Sequence, residues 1–274
     1  KNDMSNDESY TQEGITFTNV QNGSTATRVW CSSAGNLDLR IYQNATVKFS
    51  VPDNMYIRKI IFNGDALSSI SPDKGNLKSK IWTGREREIL FSVADGANVV
   101  KIYTISFALE YTRTVTPDNQ WGTICLPYAS ASTTGATFYE VSSLDPTKGL
   151  WLDEIEAGTQ LAAGKPYVFE ATGTTVKVTY TDAAKSAPVE GKNGLTGTFT
   201  GIAAGGLTGN YIIAENKVWV AGATATLPAY RAYISSTVPT TAQAEIPGRR
   251  RVCMGENAAT GLDQIVAPAG QAVK

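Results

Sequence analysis

The amino-acid sequence predicts an all-β protein with two antiparallel domains. Apolar and polar residues take turns along most segments, as in Leu37–Tyr42, and a period of two is typical of half-buried antiparallel strands. No apolar stripe with helical spacing runs for a useful length. The chain has 274 residues, which is long enough for two domains that each bury a core.

We expect a jelly-roll-like sandwich in residues 1–113, a second antiparallel sandwich or barrel-like domain in residues 117–239, and an irregular extension in residues 240–274. The second domain begins at Pro117–Tyr128, where a proline, polar residues and a tryptophan restart the pattern after a long strand. The extension is predicted because the chain beyond Pro239 becomes polar and then rich in glycine and alanine.

Short alternating runs between turn residues predict the strands of the first domain. They are Gly14–Asn19, Arg28–Cys31, Leu37–Tyr42, Val47–Val51, Tyr56–Phe62, Glu88–Val93 and Val99–Tyr111. In the last run we expect Tyr103 to share a face with Val99, Ile105, Phe107 and Leu109. A loop rich in glycine, serine, aspartate and lysine covers Asn63–Lys80, and its length favours a functional or mobile segment.

The second domain keeps the β pattern with more glycine. Its predicted strands are Thr137–Val141, Lys165–Glu170, Thr174–Tyr180, Asn210–Val220 and Pro228–Ile234. We expect one hairpin across Ala171–Gly173 and another that turns at Glu215–Asn216.

Composition excludes several classes of function. The net charge is −1, so no overall field recruits nucleic acid, and the arginine run 249–251 is short and typical of a solvated loop. The chain contains no histidine, which excludes Ser-His-Asp and Cys-His catalysis and ordinary zinc sites. No stretch approaches the roughly 18 apolar residues that span a bilayer. No cofactor, metal site or transmembrane segment is predicted.

The three cysteines, Cys31, Cys125 and Cys253, are far apart and odd in number, so they predict neither a disulfide framework nor a metal site. Cys31 and Cys125 lie in apolar runs and are typical of small buried side chains. One disulfide bridge stays an open alternative.

Two patterns are compatible with glycan chemistry. Glycan hydrolysis needs two carboxylates roughly 5 to 9.5 Å apart. Glu154 and Glu156, near Asp153 and beside Trp151, would share one strand face about 7 Å apart. The alternative is a solvated acidic turn, since charged residues are mostly exposed.

A ligand-binding site is predicted at Trp82, at the end of the long loop, with Arg85 and Arg40 as partners. An exposed aromatic ring beside hydrogen-bonding groups is typical of lectin-like sites. The alternative is that Trp82 fills the sandwich core, as large aromatic side chains usually do. Asp53, Asp65, Asp73 and Asp95 could supply oxygens for calcium, but their spacing matches no dedicated loop and favours solvated turns.

Two passages carry a resemblance to a known group of proteins. Trp121–Tyr128 (WGTICLPY), followed by Leu227–Tyr233 (LPAYRAY), resembles the C-terminal β-module of secreted and surface proteins of gut and oral Bacteroidetes. Arg251–Asp263 resembles the segment that leads to a short tail in those proteins. The N-terminal passage, with Asn36–Tyr42, Lys59–Phe62 and Trp82–Gly84, is similar to a β-sandwich module often found ahead of it.

The resemblance implies an exported protein of the cell surface, periplasm or extracellular space, and it implies no catalytic residues. We therefore expect a non-catalytic binding or adhesion protein whose ligand is a glycan or a protein. The alternatives are a glycan-active enzyme that uses carboxylates alone and a structural surface component that associates with copies of itself.

Overall fold

The structure, a computed structural model, describes residues 2–12, 14–31, 37–97, 99–180, 186–237 and 250–255. Regular structure in these ranges is almost entirely β, so the predicted all-β class with antiparallel sheets is confirmed. Short 3-10 turns occur at Leu67–Ser69, Pro117–Asn119 and Lys192–Gly194. Within the described ranges no helix has the length and apolarity needed to cross a membrane.

The chain divides into two compact units. The first comprises Lys1–Thr112 and Thr179–Asp182, and the second comprises Arg113–Val178 and Ala183–Lys274. The alternation of apolar and polar residues predicts that a segment is a strand, but not which unit the strand joins. The sequence therefore did not predict that residues 179–182 belong to the first unit.

The first unit contains twelve strands. They are β1 (Asn2–Asp3), β2 (Glu8–Gln12), β3 (Ile15–Gln21), β4 (Arg28–Cys31), β5 (Leu37–Ile41), β6 (Thr46–Ser50), β7 (Met55–Asp65), β8 (Ile70–Pro72), β9 (Asn76–Lys78), β10 (Ile81–Glu86), β11 (Glu88–Val93) and β12 (Val100–Thr114). The predicted loop 63–80 therefore contains two short strands and a 3-10 turn.

Two antiparallel sheets make up this unit. Within it, the first sheet has the order β1-β4-β5-β12-β7-β10-β9, and the second has the order β2-β3-β6-β11-β8. Phenylalanine rings meet between the sheets: the Phe49 ring centroid lies 6.3 Å from that of Phe62 and 5.6 Å from that of Phe107. This unit is therefore a two-layer sandwich with an aromatic core. The tilted ring pairs in that core pack favourably.

A β-bulge interrupts β12 and reverses its alternation. The buried residues are even-numbered at Val100 and Ile102, whereas the apolar residues from Ile105 to Leu109 that face the core are odd-numbered. The register with β7 shifts just after Ile102, so Tyr103 is an extra residue that points away from the core. The prediction that Tyr103 shares a face with Ile105 and Leu109 is therefore wrong.

A second bulge lies further along the same pairing. The register shifts between Ala108 and Leu109, whose partners on β7 are Lys59 and Ile57. Arg58 is the extra residue on β7, and it is exposed.

The second unit contains the remaining strands. They are β13 (Trp121–Cys125), β14 (Ser132–Thr134), β15 (Ala136–Asp145), β16 (Gly149–Glu154), β17 (Pro166–Ala171), β18 (Thr175–Tyr180), β19 (Leu195–Thr198), β20 (Tyr211–Ala214), β21 (Lys217–Val220), β22 (Arg231–Ile234) and β23 (Arg250–Cys253). The third sheet has the order β13-β17-β15-β16-β23, the fourth has the order β19-β22-β20-β21, and β14 pairs with β18.

The third and fourth sheets share one apolar core and meet at both margins of the third sheet. Residues of both sheets, among them Leu152 and Val218, pack in one buried cluster. At one margin the Thr123 hydroxyl donates to the Ala232 carbonyl at 2.7 Å and accepts from the Ala232 amide at 2.9 Å. At the other margin Val218 forms a parallel bridge with Met254. The two sheets are thus joined through a side chain at one margin and through a backbone bridge at the other.

Two expectations for this unit differ from the structure. The hairpin predicted across Ala171–Gly173 is wrong, because β17 pairs with β13 and β15 whereas β18 pairs with β14. The predicted irregular extension contains β23, which pairs with β16 and buries Val252, so Arg250 and Arg251 lie in a strand rather than in a loop. Residues 240–249 and 256–274 lie outside the described residues.

The Pro117 segment is held by the turn of the β20–β21 hairpin. Glu215 and Asn216 have φ values of 50° and 56°, as a two-residue hairpin turn requires, so this predicted hairpin is confirmed. The Asn216 side chain accepts from the Trp121 amide at 3.0 Å and donates to the Pro117 carbonyl at 2.8 Å. The Asn119 side chain accepts from the Glu215 amide at 2.9 Å. Two side-chain amides thus join the entry of the unit to a hairpin far along the chain.

We expect Asn216→Ala to lower the free energy of unfolding by about 2–4 kcal/mol. The variant loses two hydrogen bonds, worth about 1 kcal/mol each, and holds a residue with a Cβ in the left-handed region at a cost of about 1–2 kcal/mol. Urea unfolding followed by circular dichroism measures the change. Asn216→Gly is the matched control, because it loses the same bonds without the backbone strain and should lose less stability than Asn216→Ala. Equal stability of wild type and Asn216→Ala would contradict this account.

Candidate functional site

The candidate site lies on the face of the first sheet that points away from the sandwich core, called the outer face below. Residues in cross-strand register share a face. Ile61 of β7 is in register with Ser106 of β12 and Ile81 of β10, and 40% of Ile61 is exposed. Ile61 therefore marks the middle of the outer face.

Tyr103 projects from the outer face at the first bulge. It is 44% exposed, and its hydroxyl donates a hydrogen bond to the carboxylate of Asp65 on β7. This hydrogen bond is the main reason that the pKa of Tyr103 is raised, so the phenol stays protonated and keeps donating. The ring is thus held in one position while part of its surface remains open.

Arg40 lies on β5, which pairs with β12 directly before the bulge. Its guanidinium carbon lies 4.3 Å from the centroid of the Trp30 ring, and its Nε donates to both carboxylate oxygens of Asp38 at 3.1 and 3.2 Å. Contacts of these two kinds fix the orientation of a guanidinium group. Together, Trp30, Asp38, Arg40, Asp65 and Tyr103 are called the Tyr103 platform.

A second group of polar side chains, called the Glu110 network, lies further along β12. The Glu110 side chain is 7% exposed, and it accepts from Arg85 Nε and the Thr112 hydroxyl at 2.9 Å each. Arg58 lies 3.7 Å away, and the Arg85 guanidinium lies 3.7 Å from the Tyr56 ring centroid. Burial raises the pKa of Glu110, but the hydrogen bonds and the two positive charges outweigh this effect and hold the pKa below its ordinary value.

The platform and the network lie on the same face about 23 Å apart, because seven residues of β12 separate Tyr103 from Glu110 at about 3.3 Å each. The outer face is therefore suited to an extended ligand rather than to a single small molecule.

The structure separates the three residues predicted to bind a ligand. Trp82 is 0% exposed, and its Nε1 donates to the Lys74 carbonyl at 2.7 Å. Two glycines border its ring: a Cβ on Gly75 would lie 2.5 Å from Trp82 Nε1, and a Cβ on Gly84 would lie 2.6 Å from Cζ2. Trp82 is thus a core residue, which was the alternative interpretation, and its ring faces are not open to a ligand.

The two arginines of that prediction do lie on the outer face, but not together. Arg85 belongs to the Glu110 network and Arg40 to the Tyr103 platform. Their strands, β10 and β5, are three strand spacings apart, which is about 14 Å.

The acidic cluster of the second unit does not form the predicted pair on one strand face. β16 ends at Glu154, and Glu156 lies beyond it in a turn where its carbonyl accepts from the Thr159 amide. Trp151 is buried, and the Arg251 guanidinium carbon lies 5.2 Å from its ring centroid. The indole ring is therefore covered rather than open to a sugar.

The four aspartates considered for calcium each have another partner. Asp53 pairs with Arg87, Asp65 accepts from Tyr103, Asp73 accepts from the Leu90 amide, and Asp95 accepts from Asn44 and the Gly96 amide. Among the residues that the structure describes, no group of three or more potential metal ligands comes together.

The second unit also carries a partly exposed ion cluster beside a small pocket. Glu140 pairs with Lys165 and Lys192. Lys165 and Tyr167 line a pocket of about 210 Å³ that includes open space at its mouth. This volume is below the roughly 300 Å³ at which ligand pockets begin, so the pocket is a weaker candidate than the outer face.

Sequence analysis missed Tyr103 and Glu110 as site residues. The signal for Tyr103 is present in the sequence, since the apolar positions of β12 change from even to odd numbers around it, which is what an inserted bulge residue produces. Glu110 carries no such signal, because its partners Arg58 and Arg85 come from strands whose pairing the sequence does not specify.

We expect Glu110→Gln to destabilise the first unit by about 1–3 kcal/mol at pH 7, since hydrogen bonds to a charged group are lost. The folded pKa of Glu110 lies below its ordinary value, so the contribution of Glu110 is complete above the ordinary pKa of a glutamate and is lost as the pH falls through the folded pKa. The difference between wild type and Glu110→Gln should therefore vanish in acid. Hydrogen exchange of the β7 and β12 amides measures it. Glu156→Gln, at an exposed position, is the control, and a difference that does not shrink as the solution is acidified would contradict the prediction.

The two cysteines whose side chains the structure describes should differ in reactivity. Cys125 is buried, and burial raises its pKa to about 12, so almost no thiolate forms at neutral pH. Cys253 is exposed. After brief treatment of the native protein with iodoacetamide, peptide mass spectrometry should find Cys253 modified and Cys125 intact, with both modified in urea. Rapid native labelling of Cys125 would contradict its burial.

Comparisons with known proteins add no functional assignment to this geometry. No protein-family model matches the chain, and no curated protein and no solved structure matches it. The arrangement of the outer face is therefore the feature of this chain that points to a function.

Proposed function

We propose that this chain is a non-catalytic glycan-binding protein, and that the outer face of the first sheet is its binding surface. The observation that carries the proposal is Tyr103. Its ring stands exposed at a bulge, its hydroxyl is held by Asp65, and Arg40 lies beside it, stacked on Trp30. Bulges commonly re-aim a side chain at a binding site.

The chemistry of the platform fits a sugar ring. A pyranose presents C–H groups on one face and hydroxyls around its rim. The open Tyr103 ring can pack against the C–H face, while the carboxylates of Asp38 and Asp65 accept hydrogen bonds and Arg40 donates them. Because the charged groups are already hydrogen-bonded to one another, little side-chain freedom is lost when a ligand binds.

Binding without turnover is supported by the state of the carboxylates. Asp38 is engaged by Arg40, Asp65 by Tyr103, and Glu110 by Arg85 and Thr112. A general acid for glycan hydrolysis needs a raised pKa, whereas the pKa of Glu110 is lowered. The chain also has no histidine.

A surface location outside the cytoplasm completes the proposal. It is motivated by the resemblance of Trp121–Tyr128 and the N-terminal passage to modules of exported Bacteroidetes proteins. Self-association through sheet edges has less support, because the edge strands of the first sheet, β1 and β9, span only two and three residues.

A glycan array with the purified protein, followed by calorimetry on the best ligand, tests the proposal. We expect Tyr103→Ala to weaken binding about tenfold, which corresponds to about 1.4 kcal/mol, because the stacking surface is lost. Tyr103→Phe keeps the ring and should lose less.

The matched control is Tyr10→Ala. Tyr10 is 50% exposed and its hydroxyl bonds to Glu8 at 2.8 Å, but it lies on β2 of the other sheet, so its loss should leave affinity unchanged. Capture of a protein partner with no glycan bound, or release of cleaved glycan, would overturn the proposal.

A further inference from the structure

The outer face carries a row of charged residues in direct cross-strand register. The pairing of five adjacent strands places Asp3, Arg28, Arg40, Lys101 and Asp65 in one line. Three cations thus lie side by side on β4, β5 and β12, about 4.8 Å apart from strand to strand. Like charges directly opposite each other destabilise a sheet, so this row is costly unless anions lie near it.

Two of the three cations in this row form ion pairs with described carboxylates. Arg28 pairs with Asp3 at 3.2 Å, and Arg40 pairs with Asp38 at 3.1 Å. Asp65 is in register with Lys101, but its carboxylate accepts the Tyr103 hydroxyl. In the part of the chain that the structure describes, Lys101 makes no ion pair. Among the described residues, Lys101 therefore has no carboxylate within ion-pair distance, and it lies two positions before Tyr103 on the outer face.

The imbalance continues along the whole outer face. The strand registers, with their bulges, place seven cationic side chains and four carboxylates on this face. The cations are Arg28, Arg40, Arg58, Lys59, Lys78, Arg85 and Lys101, and the carboxylates are those of Asp3, Asp38, Asp65 and Glu110. The face thus has an excess of three positive charges, although the chain as a whole carries −1. Positive charge is concentrated on this one face.

Lys59 repeats the situation of Lys101 near the other end of the face. It lies in register with Thr83 and Ala108, beside Arg58 of the Glu110 network. Within the described ranges Lys59 also makes no ion pair. Two lysines that form no ion pair with any described residue therefore lie roughly 20 Å apart along the strands, with Ile61 between them.

We propose that the ligand of the outer face is an acidic glycan, whose carboxylate or sulfate groups bind Lys101 beside Tyr103 and Lys59 further along the same face. This inference rests on the proposed glycan-binding function and names its substrate class. Bound anions would offset the repulsion within the cation row, and the ring of Tyr103 would select a sugar over a featureless polyanion. An oligosaccharide of several residues is needed to reach both lysines.

The test compares heparin and polygalacturonate, which are acidic, with a neutral galactan, and adds anionic phospholipid vesicles and a single-stranded oligonucleotide. We expect at least one acidic glycan to bind about tenfold or more tightly than the neutral one. Its affinity should fall as salt rises from 50 to 300 mM, because screening weakens exposed charge pairs. The sulfated and the uronate polymer separate the two anion chemistries.

Variants assign the effect to the two lysines. Lys101→Gln combined with Lys59→Gln should weaken binding of the acidic glycan about tenfold or more, leave circular dichroism unchanged, and leave the melting temperature equal or higher because repulsion within the row is reduced. Lys101→Arg keeps the charge and should retain affinity within about threefold. Lys48→Gln is the matched control, since Lys48 is a partly exposed strand lysine of β6 in the other sheet of the sandwich.

The outcomes separate the two proposals. Equal binding of neutral and acidic glycans, with no effect of the lysine variants, overturns the acidic ligand while glycan binding stands. Binding to none of the glycans overturns both. Tighter binding to vesicles or to the oligonucleotide than to any acidic glycan overturns this inference in favour of a general anion surface.

Discussion

The pairing of β7 with β12 is the constraint on which the first unit depends. These are the longest strands of the described chain, and each contributes one side to the aromatic core and the other to the outer face. With a strict period of two, Tyr103 would lie on the core face together with Ile105 and Leu109. Each of the two bulges inserts one residue, Tyr103 into β12 and Arg58 into β7. The side chains that follow the inserted residue on that strand therefore change faces.

The bulges also explain the positions of the Tyr103 platform and the Glu110 network on the outer face. Tyr103 and Arg58 are the extra residues of their strands, and Arg85 lies at a register shift in β10. An extra residue has no cross-strand partner of its own, so its side chain is free to reach sideways. Tyr103 reaches Asp65 and Arg58 approaches Glu110 in this way. The sheet stays regular elsewhere, which gives these side chains a rigid support.

The second unit is organised by a different device. Side chains supply much of the contact between its distant segments, as Thr123 does at the Ala232 backbone and Asn216 does at the Pro117 segment. These contacts join residues about a hundred positions apart, so the unit has a high proportion of non-local structure. Folding of such topologies is slow, because long loops must close before the contacts form.

Alternation was sufficient to predict the β class, most strand positions and the Glu215–Asn216 turn, because these depend on local geometry. It could not predict which strands pair, so the hairpin across Ala171–Gly173 was wrong. It also could not tell an exposed tryptophan from a buried one: Trp82 follows a loop of polar residues, yet that loop folds back over it. The sequence does not specify strand order, so it could not show that β12 and β7 lie between β5 and β10. Arg40 and Arg85 were therefore predicted to share one site, although they lie on strands that are not neighbours.

The slot around Trp82 has a consequence for how this protein can diverge. Its indole fits only because Gly75 and Gly84 present no side chain, and Gly75 also has a φ of 74° that favours glycine. A methyl group at either position would collide with the ring, and a smaller residue at 82 would leave a void between the two glycines. These three positions are therefore expected to vary together among descendants of the same ancestor, so that a change at one is accompanied by compensating changes at the others.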